Sequence, residues 1–174
     1  MPFFSRNRKK ERSPRISVIA FIDFENAKFT LRDDGQKIDM AGLMLALREI
    51  GPVRFALIFV PFGTFNTLPP QTNNLGFDIV VCQKAGQEGE KREDKVDAHI
   101  SIWASKFLQD EDVSHIVLVT HDRHSLDIAR EVIKSGKQLI YFGDEGKMNP
   151  ELRNFIREFA VPVHSVPSDR LAML

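Results

Sequence analysis

A chain of 174 residues (19.9 kDa), 43% of them hydrophobic, has material for one core and gives no reason to expect two domains. Its single cysteine, Cys82, rules out an internal disulfide and favours a reducing, cytoplasmic setting, and no apolar run approaches the roughly 18–20 residues that span a bilayer. The formal charge is zero but uneven: residues 1–15 hold six basic side chains against Glu11, a net +5, and the remainder carries −5.

In chain order, residues 1–15 read as a basic, flexible tail with no signal-peptide h-region. Such a tail either attracts phosphates or is simply solvated. Strand one, 16–22, is an apolar, β-branched run that stops on Asp23. Asp39 then caps a helix with Leu43, Leu47 and Ile50 at helical spacing, ended by Gly51-Pro52. Strand two covers 53–60. Residues 61–76 hold three prolines, two glycines and three asparagines, which predicts a long loop or a loop with one short helical turn.

Strand three is 77–82, and the polar stretch 83–94 reads as mobile. A helix over 95–108 buries Val96, Ile100, Trp103 or Ala104, and Phe107. Strand four, 115–121, runs into Asp122, which caps, itself or through a neighbour, a helix ending at Ser135-Gly136. Strand five is 138–142, a last helix over 150–158 starts on Pro150, and 160–164 forms a short sixth strand. The domain is thus expected over 16–166, with 167–174 a C-terminal tail. Such alternation implies a mainly parallel sheet of five or six strands with helices on both faces, a three-layer α/β/α sandwich.

Strands one and four each end on a carboxylate. If they are neighbours where the strand order reverses, Asp23 and Asp122 face one crevice, and Asp97 on the first turn of the 95–108 helix joins them. Carboxylates so gathered repel unless a cation lies among them, and hard oxygen ligands suit Mg²⁺ or Mn²⁺. Asn26 adds an amide able to orient water or a phosphate oxygen. Read separately, the same aspartates are helix caps or first-turn charges, and no metal binds; it is the trio in this topology that favours a site.

These residues resemble a known family. Phe21-Ile22-Asp23-Phe24-Glu25-Asn26 is similar to the F-I-D-x-x-N opening of NYN domains (LabA/DUF88-like), part of the PIN-like nuclease superfamily. Val96-Asp97 resembles its K-G-V-D segment. Residues 118–125 and 134–143 resemble its L-V-S-G-D-S-D-F and R-x-x-G-K-x-V-x-x-F-G blocks. The resemblance spans roughly 16–145 and implies a PIN-like Rossmannoid fold, metal-dependent cleavage of RNA phosphodiesters, Asp23, Asp97 and Asp122 as metal ligands and Asn26 as an orienting residue. The chain departs from the pattern at four places. The second aspartate of the G-D-S-D-F block falls on His124, a further acid on Trp103, the lysine on Asp94 with Lys95 displaced by one, and the glycine before Asp122 on His121. Three carboxylates in place of five imply one ion rather than two.

His121, His124 and Asp127 are accessory candidates, the histidines toward a softer ion such as Mn²⁺ or Zn²⁺ or toward phosphate, although ordinary surface polarity explains them as well. Lys28, Lys84, Lys91, Arg92, Lys95 and Arg123 fall on segments expected at the same sheet edge and suit a phosphate-binding rim, or an ordinary solvated loop. Phe29, Phe62 and Phe65 suit stacking on unpaired bases, but pinning of loops to the core or a homodimer contact is the preferred reading. No glycine-rich phosphate loop follows strand one, which disfavours a nucleotide-cofactor enzyme. The leading expectation is a metal-dependent ribonuclease acting on single-stranded RNA. A degenerate binding or regulatory module comes second, and a receiver-like signalling domain third.

Overall fold

The computed structural model describes residues 16–32, 34–82, 84–85, 93–94 and 96–170. Six parallel strands form the central sheet: β1 (Val18–Asp23), β2 (Val53–Pro61), β3 (Asp78–Cys82), β4 (His115–Val119), β5 (Gln138–Phe142) and β6 (Val163–His164). Their spatial order is β3-β2-β1-β4-β5-β6, so the reversal of strand order falls between β1 and β4, as the two acid-tipped strands required. Five helices complete the sandwich: α1 (Phe24–Arg32), α2 (Met40–Ile50), α3 (Val96–Leu108), α4 (Ser125–Lys134) and α5 (Pro150–Glu158).

β1 is buried along its whole length, and its period-two alternation feeds two cores. Ile19 and Phe21 pack with Leu57, Phe59, Leu118 and Tyr141 beneath α3, α4 and α5. Val18, Ala20 and Ile22 pack with Ile58, Val117 and Leu47 beneath α1 and α2. Removal of a fully buried ring such as Phe21 or Phe59 would cost about 3–5 kcal/mol.

The expected caps at Asp39 and Gly136 form: Asp39 accepts a hydrogen bond from the Gly42 amide at the start of α2, and Gly136 takes φ +75° just beyond α4. Asn149, not expected, accepts from Glu151 N ahead of Pro150. Three differences stand out. The polar-looking segment after Asp23 is α1, with Phe24, Ala27 and Leu31 on its inner side and Asp23 at its N-cap. The loop 61–76 holds two short 3-10 turns, Phe62–Thr67 and Asn73–Leu75. Residues 168–170, expected in a tail, pair antiparallel with Gln36–Ile38. The expected tail over 1–15 lies outside the described residues, and so does most of 83–94, of which Lys84–Ala85 pair with Glu93–Asp94. No helix among the described residues is long and apolar enough to cross a membrane.

Candidate metal centre

Side-chain alternation explains how the acids meet. Asp23 has the parity of Ile19 and Phe21, so it leaves β1 on the face covered by α3, and it lies in register with Phe59 of β2. Asp97 stands on the first turn of α3. Extended past Val119, the β4 alternation turns Asp122 toward the same face and the intervening His121 toward α1. Asp97, Asp122 and His124 then present one ligand atom each, all within 4.8 Å of one another.

Within this group His124 Nδ1 lies 2.9 Å from Asp97 Oδ2 and 3.8 Å from Asp122 Oδ2, while the His124 amide donates to Asp122 Oδ1 at 3.2 Å. Asp122 therefore shapes the turn into α4 rather than capping it, and α4 begins without a side-chain cap. Beneath it, Ser125 Oγ donates to the Asp122 carbonyl at 2.7 Å and shares a buried hydrogen bond with Tyr141 Oη at 2.9 Å. This second contact carried no signal in the sequence, because Ser125 and Tyr141 sit on different elements.

Asp23 lies deeper, 8% exposed, and its Oδ1 accepts the Asn26 amide at 3.1 Å. Burial pushes its carboxyl up from 3.8 to about 7 despite that hydrogen bond, and the negative charges of Asp97, Asp122 and Glu25 push the same way. Asp23 itself stands outside the cluster of Asp97, Asp122 and His124.

Asn26 and His121 join the elements around the site. Asn26 Oδ1 accepts the His121 amide at 2.7 Å, fastening α1 to the end of β4. The Asp144 amide donates to His121 Nε2 at 2.7 Å, so the neutral ring carries its proton on Nδ1 and donates it to Thr30 Oγ1 at 3.1 Å; Thr30 donates onward to the Asn26 carbonyl. Burial holds His121 below the usual imidazole range. With both nitrogens engaged, His121 has none left for an ion or a phosphate. Gly143 leaves the space this ring needs, since a Cβ there would sit 3.0 Å from Nε2.

Comparison with known proteins fixes the family. The NYN domain model matches residues 17–163. The chain belongs to the NYN domain family. In structure it is similar to a Vibrio parahaemolyticus protein of unknown function, with a TM-score of 0.73 and 13% identity over 90% of this chain and 96% of that one. That likeness shows the three-layer α/β/α fold alone. A likeness to the MAR1 ribonuclease of Caenorhabditis elegans has a TM-score of 0.42 and 9% identity over 89% of this chain and 79% of that one, too remote to bear on function. No curated protein matches the sequence significantly.

The remaining positions of this NYN domain divide cleanly. Trp103 is partly buried, lies nearly parallel to Phe107 with ring centroids 6.2 Å apart, and has Lys106 Nζ 4.6 Å above its ring, so it is packing where an acid was expected. Asp127, 91% exposed in its side chain, pairs with Arg130 at 3.2 Å on the outer face of α4, away from the cluster. Lys28 lies on α1 with Nζ 5.9 Å from the Phe24 ring centre, and Arg123 is exposed beside Asp122. Lys91, Arg92 and Lys95 and the Lys84 side chain lie outside the described residues. Phe29, Phe62 and Phe65 are exposed, which is not the exposure of residues that pin a loop.

Asp97, Asp122 and His124 make a donor set able to hold a metal ion. Two carboxylates and an imidazole converge, and a third carboxylate, disfavoured in its charged form by its surroundings, is coupled to them. A cation among them would offset the negative charges that add to the effect of burial on Asp23.

Proposed function

We propose that this NYN domain cleaves RNA phosphodiesters with one Mg²⁺ or Mn²⁺ ion held by Asp23, Asp97 and Asp122. The observation that carries the reading is the convergence of Asp97 and Asp122 at the β1–β4 switch point above the buried Asp23, whose carboxyl their charge helps to raise. A divalent ion bound there would make a water nucleophilic near neutral pH and offset the charge on the phosphoryl oxygens.

The chain's own residues supply the rest. Asp97 and Asp122 offer oxygens at the surface, so a phosphate can approach from solvent. Asp23 is protonated more readily than an ordinary aspartate until a cation arrives. Asn26 holds α1 and the end of β4 together, and so acts on the site through the backbone rather than on the substrate. Lys28 and Arg123 offer positive charge to backbone phosphates, and Lys84, Arg92 and Lys95 are proposed for the same role on their charge alone.

The test is cleavage of a fluorescent single-stranded RNA with added Mn²⁺ by the native chain and by Asp23→Asn and Asp122→Asn, with metal binding followed by calorimetry. Metal-dependent cleavage lost in both variants supports the reading. A native chain that neither binds the metal nor cleaves the RNA sinks it. A second reading has its own support: His124 Nδ1 lies 2.9 Å from Asp97 Oδ2, so a side chain of the chain itself already engages that carboxylate without any metal. On that reading the domain binds RNA or protein and turns nothing over, and RNA binding that ignores Mn²⁺ would favour it.

A further inference from the structure

We infer that Phe62 and Phe65 form a platform on which unpaired bases of an RNA strand stack beside the carboxylate site. The inference relies on the proposed function only in taking RNA as the ligand; it requires no cleavage. Both rings belong to the 3-10 turn Phe62–Thr67, which buries none of its residues. In a 3-10 helix residues three apart eclipse, with a rise of about 2 Å per residue, so the two rings stand on one side of the turn about 6 Å apart along its axis. Phe62 is 73% exposed and Phe65 43%.

The turn has its own ties: Thr64 Oγ1 donates to the Pro61 carbonyl at 3.1 Å, Thr67 Oγ1 donates to the Thr64 carbonyl at 2.8 Å, and Leu68 packs into the core below. Phe62 stands mostly in water beyond them, and Phe65 keeps close to half of its surface open.

Position supplies the occupant. The turn leaves β2 three residues after Phe59, which is in register with Asp23, and so emerges at the same carboxyl edge of the sheet as the acids. Adjacent strands lie about 4.8 Å apart, which sets β2 about 10 Å from β4 and the turn within a few nucleotides of a phosphate held at Asp122. Every base has a π-face, whereas bases in a duplex are already stacked and enclosed, so such a platform selects single strands with little regard to sequence.

The test uses fluorescein-labelled RNA in a Ca²⁺ buffer: a mixed-sequence single strand, the same strand annealed to its complement, and a version with abasic sites. The native chain should prefer the intact single strand. The double variant Phe62→Ala, Phe65→Ala should lose about five- to hundredfold in affinity for that strand alone, with unchanged melting temperature. As a direct readout, Phe62→Trp should bind like the native chain and show quenched emission on adding the single strand. Unchanged affinity in the double variant, unquenched emission on binding, or no single-strand preference in the native chain overturns the inference. A change in sedimentation on removing the rings, with RNA affinity unaltered, overturns it in favour of a contact between copies of the chain. Stacking without cleavage removes the nuclease reading and leaves this one standing, and cleavage without stacking does the reverse.

Discussion

The neighbouring strands β1 and β4 both end near an aspartate, yet the two carboxylates live in different media. Asp23 is buried, caps α1 and is pushed up to about 7; Asp122 is over a third exposed, bends the chain into α4 and lies within reach of His124. Desolvation makes the difference. Both strands run between two neighbours with helices on either face, but β1 passes directly into α1, so Asp23 is enclosed, whereas β4 ends at Val119 and Asp122 lies in the turn that leads to α4. One site thus holds a deep acid that destabilises the fold when charged and two shallow acids that cost the fold little. A cation has most to gain at the deep one.

The largest expected effect erases the contrast. Asp23→Asn and Asp122→Asn should each lower Mn²⁺-dependent cleavage at least about a hundredfold, more than loss of an outer partner to a metal ligand usually costs, as measured by kcat/KM on a fluorescent RNA. If either variant cleaves like the native chain, that carboxylate does not belong to the site.

Stability should then separate what activity does not. Asp23→Asn keeps a capping side chain and removes a buried charge, so the metal-free variant should be about 2–3 kcal/mol more stable than the native chain above neutral pH by urea denaturation. Asp122→Asn should change stability by less than about 0.5 kcal/mol. The pH dependence follows from the direction of the shift. The folded chain holds the Asp23 proton to about 7 and the unfolded chain only to 3.8, so this group's contribution is fully present below 3.8 and is lost as pH rises through about 7. Native and Asp23→Asn curves should converge in acid and part toward neutral pH. Parallel curves would mean that Asp23 is not enclosed in solution.

His121 and His124 sharpen the comparison on a smaller scale. His121→Ala strands the Asp144 amide and frees Thr30, and should cost about 1–3 kcal/mol by the same measurement. The smallest effect belongs to Asp127, whose exposed pair with Arg130 should be worth under about 0.5 kcal/mol in a melting curve of Asp127→Ala.

The strands, the order they imply and the approach of Asp97 to Asp122 were legible because apolar runs and the carboxylates that bound them are local signals. His121, expected as an accessory ligand, is turned toward α1 instead, an outcome visible only once the β4 pattern is carried two residues beyond its last hydrogen-bonded pair. α1 was hidden because its three inward residues, Phe24, Ala27 and Leu31, are diluted by Glu25, Asn26, Lys28 and Arg32. Trp103 and Ala104 were alternatives for one buried position, and packing chose the smaller residue while leaving the indole partly open. The pairing of 168–170 with 36–38 had no local signature at all.

That short ribbon has a consequence for how the site comes together. Ser168 Oγ donates to Gln36 Oε1 across 132 residues of sequence, and the Asp39 amide donates to the Pro167 carbonyl. Few hydrogen bonds thus close the longest loop described in the chain, and they close it directly behind α1, the helix that Asp23 caps and from which Asn26 reaches the end of β4. Loop-closure entropy makes such a contact late to form and early to open. Amide exchange at Lys37 and Asp39 should therefore run faster than in β1, and the last-formed piece of the sheet system becomes the latch on the first-formed half of the site.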